Sequence, residues 1–475
     1  MQILNDQKQF SEDEIQLTDQ QQSIVDSQGD ELLIRGIAGS GKTLVLLKKA
    51  KKIAKKHPEK KVMIFTYAKS LTNASRILTE RHNMENINVS TFHSWAMKIY
   101  RQIFISRLEI LQGSNQQNLV KKAINITRVD HRFVKEEKYL DFLQSEISWI
   151  KGKGIRTIQD YLEASRKGRG SSTRVTLKDR EIVYQVFRNY ESEKKGKLDF
   201  DDFAYKLMEV KDRITDNQKI DYILIDEAQD LQQIQLQLLK HCSKKAIIIA
   251  ADKGQKIYNT SFTWKEVGLN IMGGRTKVLR DSHRSTKQII ELATSLQKKD
   301  KVLLDEEYVA PTLPEREGEL PKLWVFEDKE SQDKAIISQI NQIVKVRPDA
   351  TIGILYRNSL GGDSALSRIG SKLKRLGIKT MNIRANEDVN PYSPGVKFST
   401  FHSAKGLEFD FVLIADLLEP TRLPSEDELE DFWEVERRLL YVAITRAKEH
   451  LQLFSYGEIN RLVHELDSNF YSSEK

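Results

Sequence analysis

Short apolar runs alternate with amphipathic stretches at both ends of this chain, and a polar, helical stretch interrupts them. Residues 31–35, 61–67 and 88–95 read as strands, the last two ending in clusters of hydroxyls and aromatics. Between 44 and 56, Leu46, Leu47, Ala50, Ile53 and Ala54 recur at helical spacing. From about Arg101 to Leu207 charged helical sequence takes over, and strands resume at 221–225 and 246–251. Past Lys277 a second set follows, with strands at 278–279, 323–326, 351–355, 397–401, 411–415 and 451–454. Helices are predicted between several of them, at 285–296, 330–344, 364–376 and 434–443. The pattern predicts an α/β protein with parallel sheets in two domains. The first would take 1–100 and 208–277, a helical insertion 101–207, and the second 278–475.

The first strand runs into Gly36-Ile37-Ala38-Gly39-Ser40-Gly41-Lys42-Thr43, and a helix follows at once. Strand, glycine-rich turn and helix N-terminus are the context in which G-x-x-x-x-G-K-[ST] forms a P-loop. Gly36, Gly39, Ser40 and Gly41 let backbone N–H groups close around phosphate oxygens, and the helix N-terminus adds partial positive charge. Lys42 supplies a point charge for the β- and γ-phosphates, and the Thr43 hydroxyl can ligate Mg²⁺. The motif implies a bound nucleoside triphosphate. Its expected counterpart is Tyr222-Ile223-Leu224-Ile225-Asp226-Glu227, an apolar strand ending in two acids. Asp226 can share the Mg²⁺ with Thr43, and Glu227 can orient or deprotonate an attacking water. The following strand ends in Asp252-Lys253-Gly254-Gln255, which puts Gln255 close enough to sense a γ-phosphate. Upstream, Thr18 or Asp19 caps a helix, and Gln21 either reaches an adenine edge or lies on an exposed polar face.

Composition narrows the setting. The 475 residues leave room for roughly three domains. No run of eighteen apolar residues exists, and 1–14 is polar and acidic without a signal-peptide core. The one cysteine, Cys242, excludes a disulfide framework or a thiolate zinc cluster. A soluble cytoplasmic protein with no membrane partner is expected. Lys and Arg number 76 against 68 Asp and Glu, a formal charge of +8 that suits nucleic acid but many Lys-rich proteins besides. Two basic, glycine-rich stretches, 151–154 and 166–172, are predicted as loops that either follow a phosphate backbone or stay solvated.

Strand C-termini carry the ligand face of parallel α/β sheets. Phe65 and Phe92 stand there, either stacking on bases or filling the core, and Thr91 and His93 can hold phosphates. The run Thr91-Phe92-His93-Ser94 returns as Thr400-Phe401-His402-Ser403, again at a strand end. Equivalent placement in both sets suggests two related domains that meet one polymer with like surfaces.

The order Gln21, Gly36 to Thr43, Thr91 to Ser94, Ile225 to Asp230, Gln255, Arg284, Thr400 to Phe409 and Glu436 to Ala447 resembles superfamily 1 helicases of the UvrD/PcrA/Rep type. Ser403-Ala404-Lys405-Gly406-Leu407-Glu408-Phe409 and Glu436-Arg437-Arg438-Leu439-Leu440-Tyr441-Val442-Ala443-Ile444-Thr445-Arg446-Ala447 are its most specific motifs. Asp199-Phe200-Asp201-Asp202-Phe203 looks like the segment closing the family's inserted helical domain, and the resemblance runs from Leu17 to about Phe454. It implies two RecA-like domains with ATP and Mg²⁺ in the cleft between them. Gln21 would contact adenine, Glu408 would lie near the ribose, and Arg284 and Arg446 would reach the γ-phosphate from the second domain. An arginine arriving from another domain ties hydrolysis to closure. Single-stranded DNA would cross both domains past Phe65, Thr91, Phe92, His93, Thr400 and His402, moving in the family's typical 3′→5′ sense and engaging single-strand/duplex junctions. RNA stays open as the track, since no residue is dedicated to a 2′-OH.

The chain also departs from the family's pattern. Leu44 replaces an arginine, and His283 in Ser282-His283-Arg284-Ser285 replaces a tyrosine, so stacking on the base is weaker or rearranged. Tyr258 or Trp264 would stack on DNA bases or else pack in the core. Only 358–398 lies where the family carries a large second auxiliary domain, which is therefore absent or vestigial. Two readings follow: a DNA-stimulated ATPase that translocates and unwinds, and a nucleotide-gated DNA-binding subunit paired with a separate nuclease. Compact UvrD-like chains accompany separate nucleases in some bacterial defence systems, Gabija being an example. A P-loop kinase or GTPase leaves the paired arginine motifs unexplained.

Overall fold

The computed structural model describes residues 16–66, 86–104, 108–166, 173–257, 262–305, 307–357, 364–383, 390, 392–420, 423, 426 and 429–474. Two wholly parallel sheets organise them. The first contains β1 (Glu31–Gly36), β2 (Val62–Thr66), β3 (Ile87–Thr91), β4 (Ile220–Ile225), β5 (Ser243–Ala251) and β6 (Thr276–Leu279) in the order β3-β2-β4-β5-β1-β6. Its strands alternate between two cores. Leu32, Ile34, Ile64, Leu224 and Ile248 meet Val45, Leu46 and Ala50 of the helix Lys42–Lys56. Leu33, Phe65, Ile223, Ile225 and Ile249 meet Trp95, Phe203 and Leu239 on the opposite face. With helices on both faces, the central strands carry unbroken apolar stretches such as Tyr222–Ile225 and Ala246–Ala251, which is why they read as continuous runs.

The second sheet contains β7 (Lys322–Phe326), β8 (Thr351–Tyr356), β9 (Thr380–Asn382), β10 (Gly395–Thr400), β11 (Phe409–Ala415), β12 (Ala447–Tyr456) and β13 (Ser472–Glu474). Their order is β13-β7-β12-β11-β8-β10-β9. It too is covered on both faces, by cores built around Leu439 and Ile444 and around Ile336 and Ile369. The predicted helices are present as Lys287–Gln297, Lys329–Val346, Ala365–Arg375 and Leu429–Ile444.

Two local expectations are corrected. Residues 278–279 do not open the second set, because β6 pairs with β1 through Arg35 with Val278 and Gly36 with Leu279. The first α/β unit thus extends through Leu279, and the chain leaves it from the strand beside the P-loop. The stretch 151–154 is not a solvated loop. Lys151 and Lys153 end the helix Leu140–Lys153, and Gly154 (φ 75°) caps it in the left-handed region that glycine favours. Lys151 is 1% exposed, with its ammonium 2.5 Å from Asp199, 2.8 Å from Glu191 and 2.9 Å from Asp202. Arg166 pairs with Glu146, and 167–172 lie outside the described residues. The insertion has its own core around Phe142, Ile150, Tyr161 and Tyr190. No helix among the described residues is long and apolar enough to cross a membrane.

Candidate nucleotide and nucleic-acid sites

β1 delivers the P-loop to the C-terminal edge of the first sheet. Gly39 and Gly41 have φ of 75° and 82°, conformations that strain any residue with a side chain. A β-carbon on Gly41 would also lie 2.5 Å from Gln21 Nε2. Lys42, buried, donates to the carbonyls of Gly36 (3.0 Å) and Ile37 (2.7 Å) and to Asp252 Oδ2 (3.2 Å). The Thr43 hydroxyl donates to Asp226 Oδ2 at 2.5 Å, so the two oxygens expected to share a metal already lie side by side. A hydroxyl next to a carboxylate is the hard-oxygen donor set that suits Mg²⁺.

Burial and the neighbouring Glu227 push Asp226 up to about 6. Burial acts the same way on Glu227, but Lys405, Lys42 and Arg446 outweigh it and hold that carboxyl below its usual range. The pair is split, and Glu227 is the member held more firmly in the ionised form that a base requires. Its backbone is left-handed, φ 53° and ψ 40°, and its carboxylate accepts from the Gln229 amide. Gln229 Oε1 accepts from the Asp252 N–H (3.0 Å), and Asp252 accepts from Gln255 Nε2 (2.6 Å).

The second α/β unit completes this arrangement. Arg446, 1% exposed, donates to Gln255 Oε1 (2.9 Å) and to the carbonyls of Val442 (2.8 Å) and Leu407 (3.2 Å). Burial and the nearby Arg284 lower its pKa. Arg284 Nε donates to Glu408 Oε2 at 2.8 Å, so these two expected ligands hold each other. His283 donates its backbone N–H to Gly39 O (2.9 Å), and its ring is exposed. Sequence reasoning missed Lys405, whose ammonium lies 2.5 Å from Asp230 Oδ2, 2.6 Å from Gln255 O and 3.5 Å from Glu227. Those acids hold it protonated against burial. Its signal was present in the run 403–409, where only Glu408 was singled out.

Gln21 is buried, not on an open polar face: Oε1 accepts from Thr18 N and Nε2 donates to Ser40 O, both at 3.1 Å. Phe65, Phe92 and Trp264 are 1%, 2% and 3% exposed, and all three belong to the core of the first unit. Phe65 meets Trp95 edge-on at 5.5 Å and Trp264 meets Phe262 at 5.3 Å, so none offers a face to a base. Their assignment as nucleic-acid contacts is corrected to core packing. Tyr258 lies outside the described residues. Thr91 caps the helix Phe92–Phe104, accepting from Ser94 N at 3.2 Å, and Thr400 accepts from Ser403 N at the same distance. The repeated motif is thus one turn built twice. His93 and His402 are half-buried beside these turns. Phe200, 38% exposed and edge-on to His93 at 5.2 Å, is the aromatic that sequence reasoning passed over.

Fold and site together define a P-loop protein of two RecA-like α/β units that meet at the cleft carrying the P-loop. The model of the UvrD/REP helicase N-terminal domain matches residues 17–263, and that of the UvrD-like helicase C-terminal domain matches 373–458. The chain belongs to the UvrD/Rep helicase family. It is 25% identical over 357 residues to a protein of Mycoplasma capricolum described as a probable DNA helicase II homolog, covering 69% of this chain and 47% of that one. It is 26% identical over 388 residues to YjcD of Bacillus subtilis, covering 74% and 47%. To the ATP-dependent DNA helicase PcrA of Bacillus subtilis it is 26% identical over 307 residues, covering 58% and 38%. The chain spans about half the length of these curated relatives, or less.

Proposed function

We propose that this chain is an ATP-dependent motor on single-stranded DNA, a translocase and helicase whose two RecA-like units close on each hydrolysed nucleotide. The observation that carries the reading is the crossing of the cleft. Arg446 and Lys405 of the second unit bond to Gln255 and Asp230 of the first, beside a P-loop that the first unit supplies. Triphosphate binding would draw Lys42 from the Gly36 and Ile37 carbonyls and Arg284 from Glu408 onto phosphate oxygens. Thr43 and Asp226 would hold Mg²⁺, which neutralises charge on the phosphates. Glu227, ionised, accepts the proton of the attacking water. Arginines supplied by the second unit make the rate depend on closure, and closure moves the strand-binding edges relative to each other.

The DNA would lie across the C-terminal edges of both sheets, on the paired turns at Thr91 and Thr400, with His93, Phe200 and His402 as its contacts. The relatives named as DNA helicases support DNA as the track, and 3′→5′ movement is the direction implied by the resemblance of the motifs to the UvrD/PcrA/Rep type. A strand-displacement assay on 3′-tailed, 5′-tailed and blunt duplexes, with ATP turnover followed alongside, tests this. Displacement confined to the 3′-tailed substrate is expected. The short connection from Tyr356 to Gly395 favours one competing reading, a DNA-gated ATPase subunit that serves a separate nuclease. Strand-stimulated turnover without displacement on any substrate would select it.

A further inference from the structure

The segment that leaves β6 and enters the second unit passes directly over the tip of the P-loop. A β-carbon on Gly39 would lie 2.7 Å from Arg284 Cβ and 2.8 Å from Ser282 Oγ, while His283 N–H bonds to the Gly39 carbonyl. Two hydroxyls of this segment, those of the buried Ser282 and Thr286, have no hydrogen-bond partner among the described residues, while two other side chains are engaged. Arg284 binds Glu408, and Ser285 Oγ donates to Ala447 O at 2.6 Å. Of the two unpaired hydroxyls, that of Ser282, 4% exposed, is the one beside Gly39. A buried hydroxyl left unpaired costs free energy, and such groups are rare enough in folded proteins to need a reason.

We infer that Ser282 is a ligand of the triphosphate: its hydroxyl donates to a phosphate oxygen at the tip of the P-loop. The P-loop presents backbone N–H groups and a helix N-terminus to an anion, and a hydroxyl packed against Gly39 adds a donor from the opposite wall. Because Ser282 stands where the chain crosses between the units, this donor couples phosphate occupancy to the position of the crossing segment. The inference rests on the nucleotide-binding reading above.

The full chain carrying Ser282→Ala tests it, measured beside wild type and Lys42→Ala. Removing an orphaned hydroxyl takes no hydrogen bond from the nucleotide-free protein, so the variant should melt at or above the wild-type temperature. Its affinity for the non-hydrolysable analogue AMP-PNP should fall about tenfold, while ligand-free melting is preserved. A purely structural serine would give the opposite pair, a lower melting temperature with unchanged affinity, and that result overturns the inference. Equal affinity with unchanged melting overturns it as well. If wild type binds no AMP-PNP, or Lys42→Ala binds it equally, the nucleotide reading itself fails and Ser282 falls with it.

Discussion

Lys151 in the helical insertion and Lys405 in the second α/β unit are buried alike, at 1% and 3% exposed, and both end among carboxylates. Their surroundings differ. Lys151 shares Glu191, Asp199 and Asp202 with Lys194, and Tyr190 donates to Asp199 at 2.8 Å. Asp199 and Asp202 also form a reciprocal cap at the start of the helix Phe200–Glu209, which packs on helices of the first unit. That network lies inside continuous packing. Lys405 reaches acids belonging to another unit, and Asp230 Oδ1 beside it has no partner among the described residues. A buried charge within one packed body has no route to water, whereas one held across a cleft regains water when the cleft opens. The first arrangement fixes a joint. The second, on the proposed cycle of closure, would break and form again.

The largest expected effect is on Lys151. Lys151→Met leaves the buried Asp199 and Asp202 and the half-buried Glu191 with a single lysine and should cost about 3–5 kcal/mol in a urea unfolding measurement. The same change at Lys405 should cost under about 1 kcal/mol, because water can enter the cleft, yet lower strand-stimulated ATP turnover about 100- to 1000-fold. Equal stability losses for the two variants would dissolve the distinction. Next comes Phe200→Ala, which should weaken single-strand binding by about 1–3 kcal/mol in a fluorescence titration. No change there would remove the aromatic pair from the DNA track.

The smallest effect concerns His93. Burial lowers its pKa to about 4, below the ordinary 6.5, so the folded state binds fewer protons than the unfolded chain between those values. Its contribution to stability is therefore complete above pH 6.5 and lost as pH falls toward 4. The wild-type urea midpoint should drop between pH 7 and pH 5, and His93→Gln should flatten that slope. Parallel slopes would place the titration elsewhere.

The strands, the helices and the P-loop turn were legible because each depends on local pattern: apolar runs, helical spacing, and a glycine-rich turn between them. What misled was sidedness. Phe65 follows Ile64 on a strand whose two faces are both covered, so an aromatic at its end enters the core whichever way it points. Nothing local to 278–279 reveals which sheet a short apolar pair will join, since that depends on β1 leaving an edge open. Lys151 beside two glycines looked like a loop because its carboxylates lie some 40 to 50 residues onward. Lys405 was read as part of a family motif, and its partners became visible only when 230 and 255 were brought across the cleft.

Glu227 stands at φ 53° and ψ 40°, a conformation that costs a residue bearing a side chain about 1–3 kcal/mol. The loop is thus cocked, and tension is held at the residue that would act on water. Relieving it takes only a residue at home in that region. Glu227→Gly should therefore give a protein that outlasts the wild type on heating and turns over no ATP, as happens where durability and activity compete for one residue.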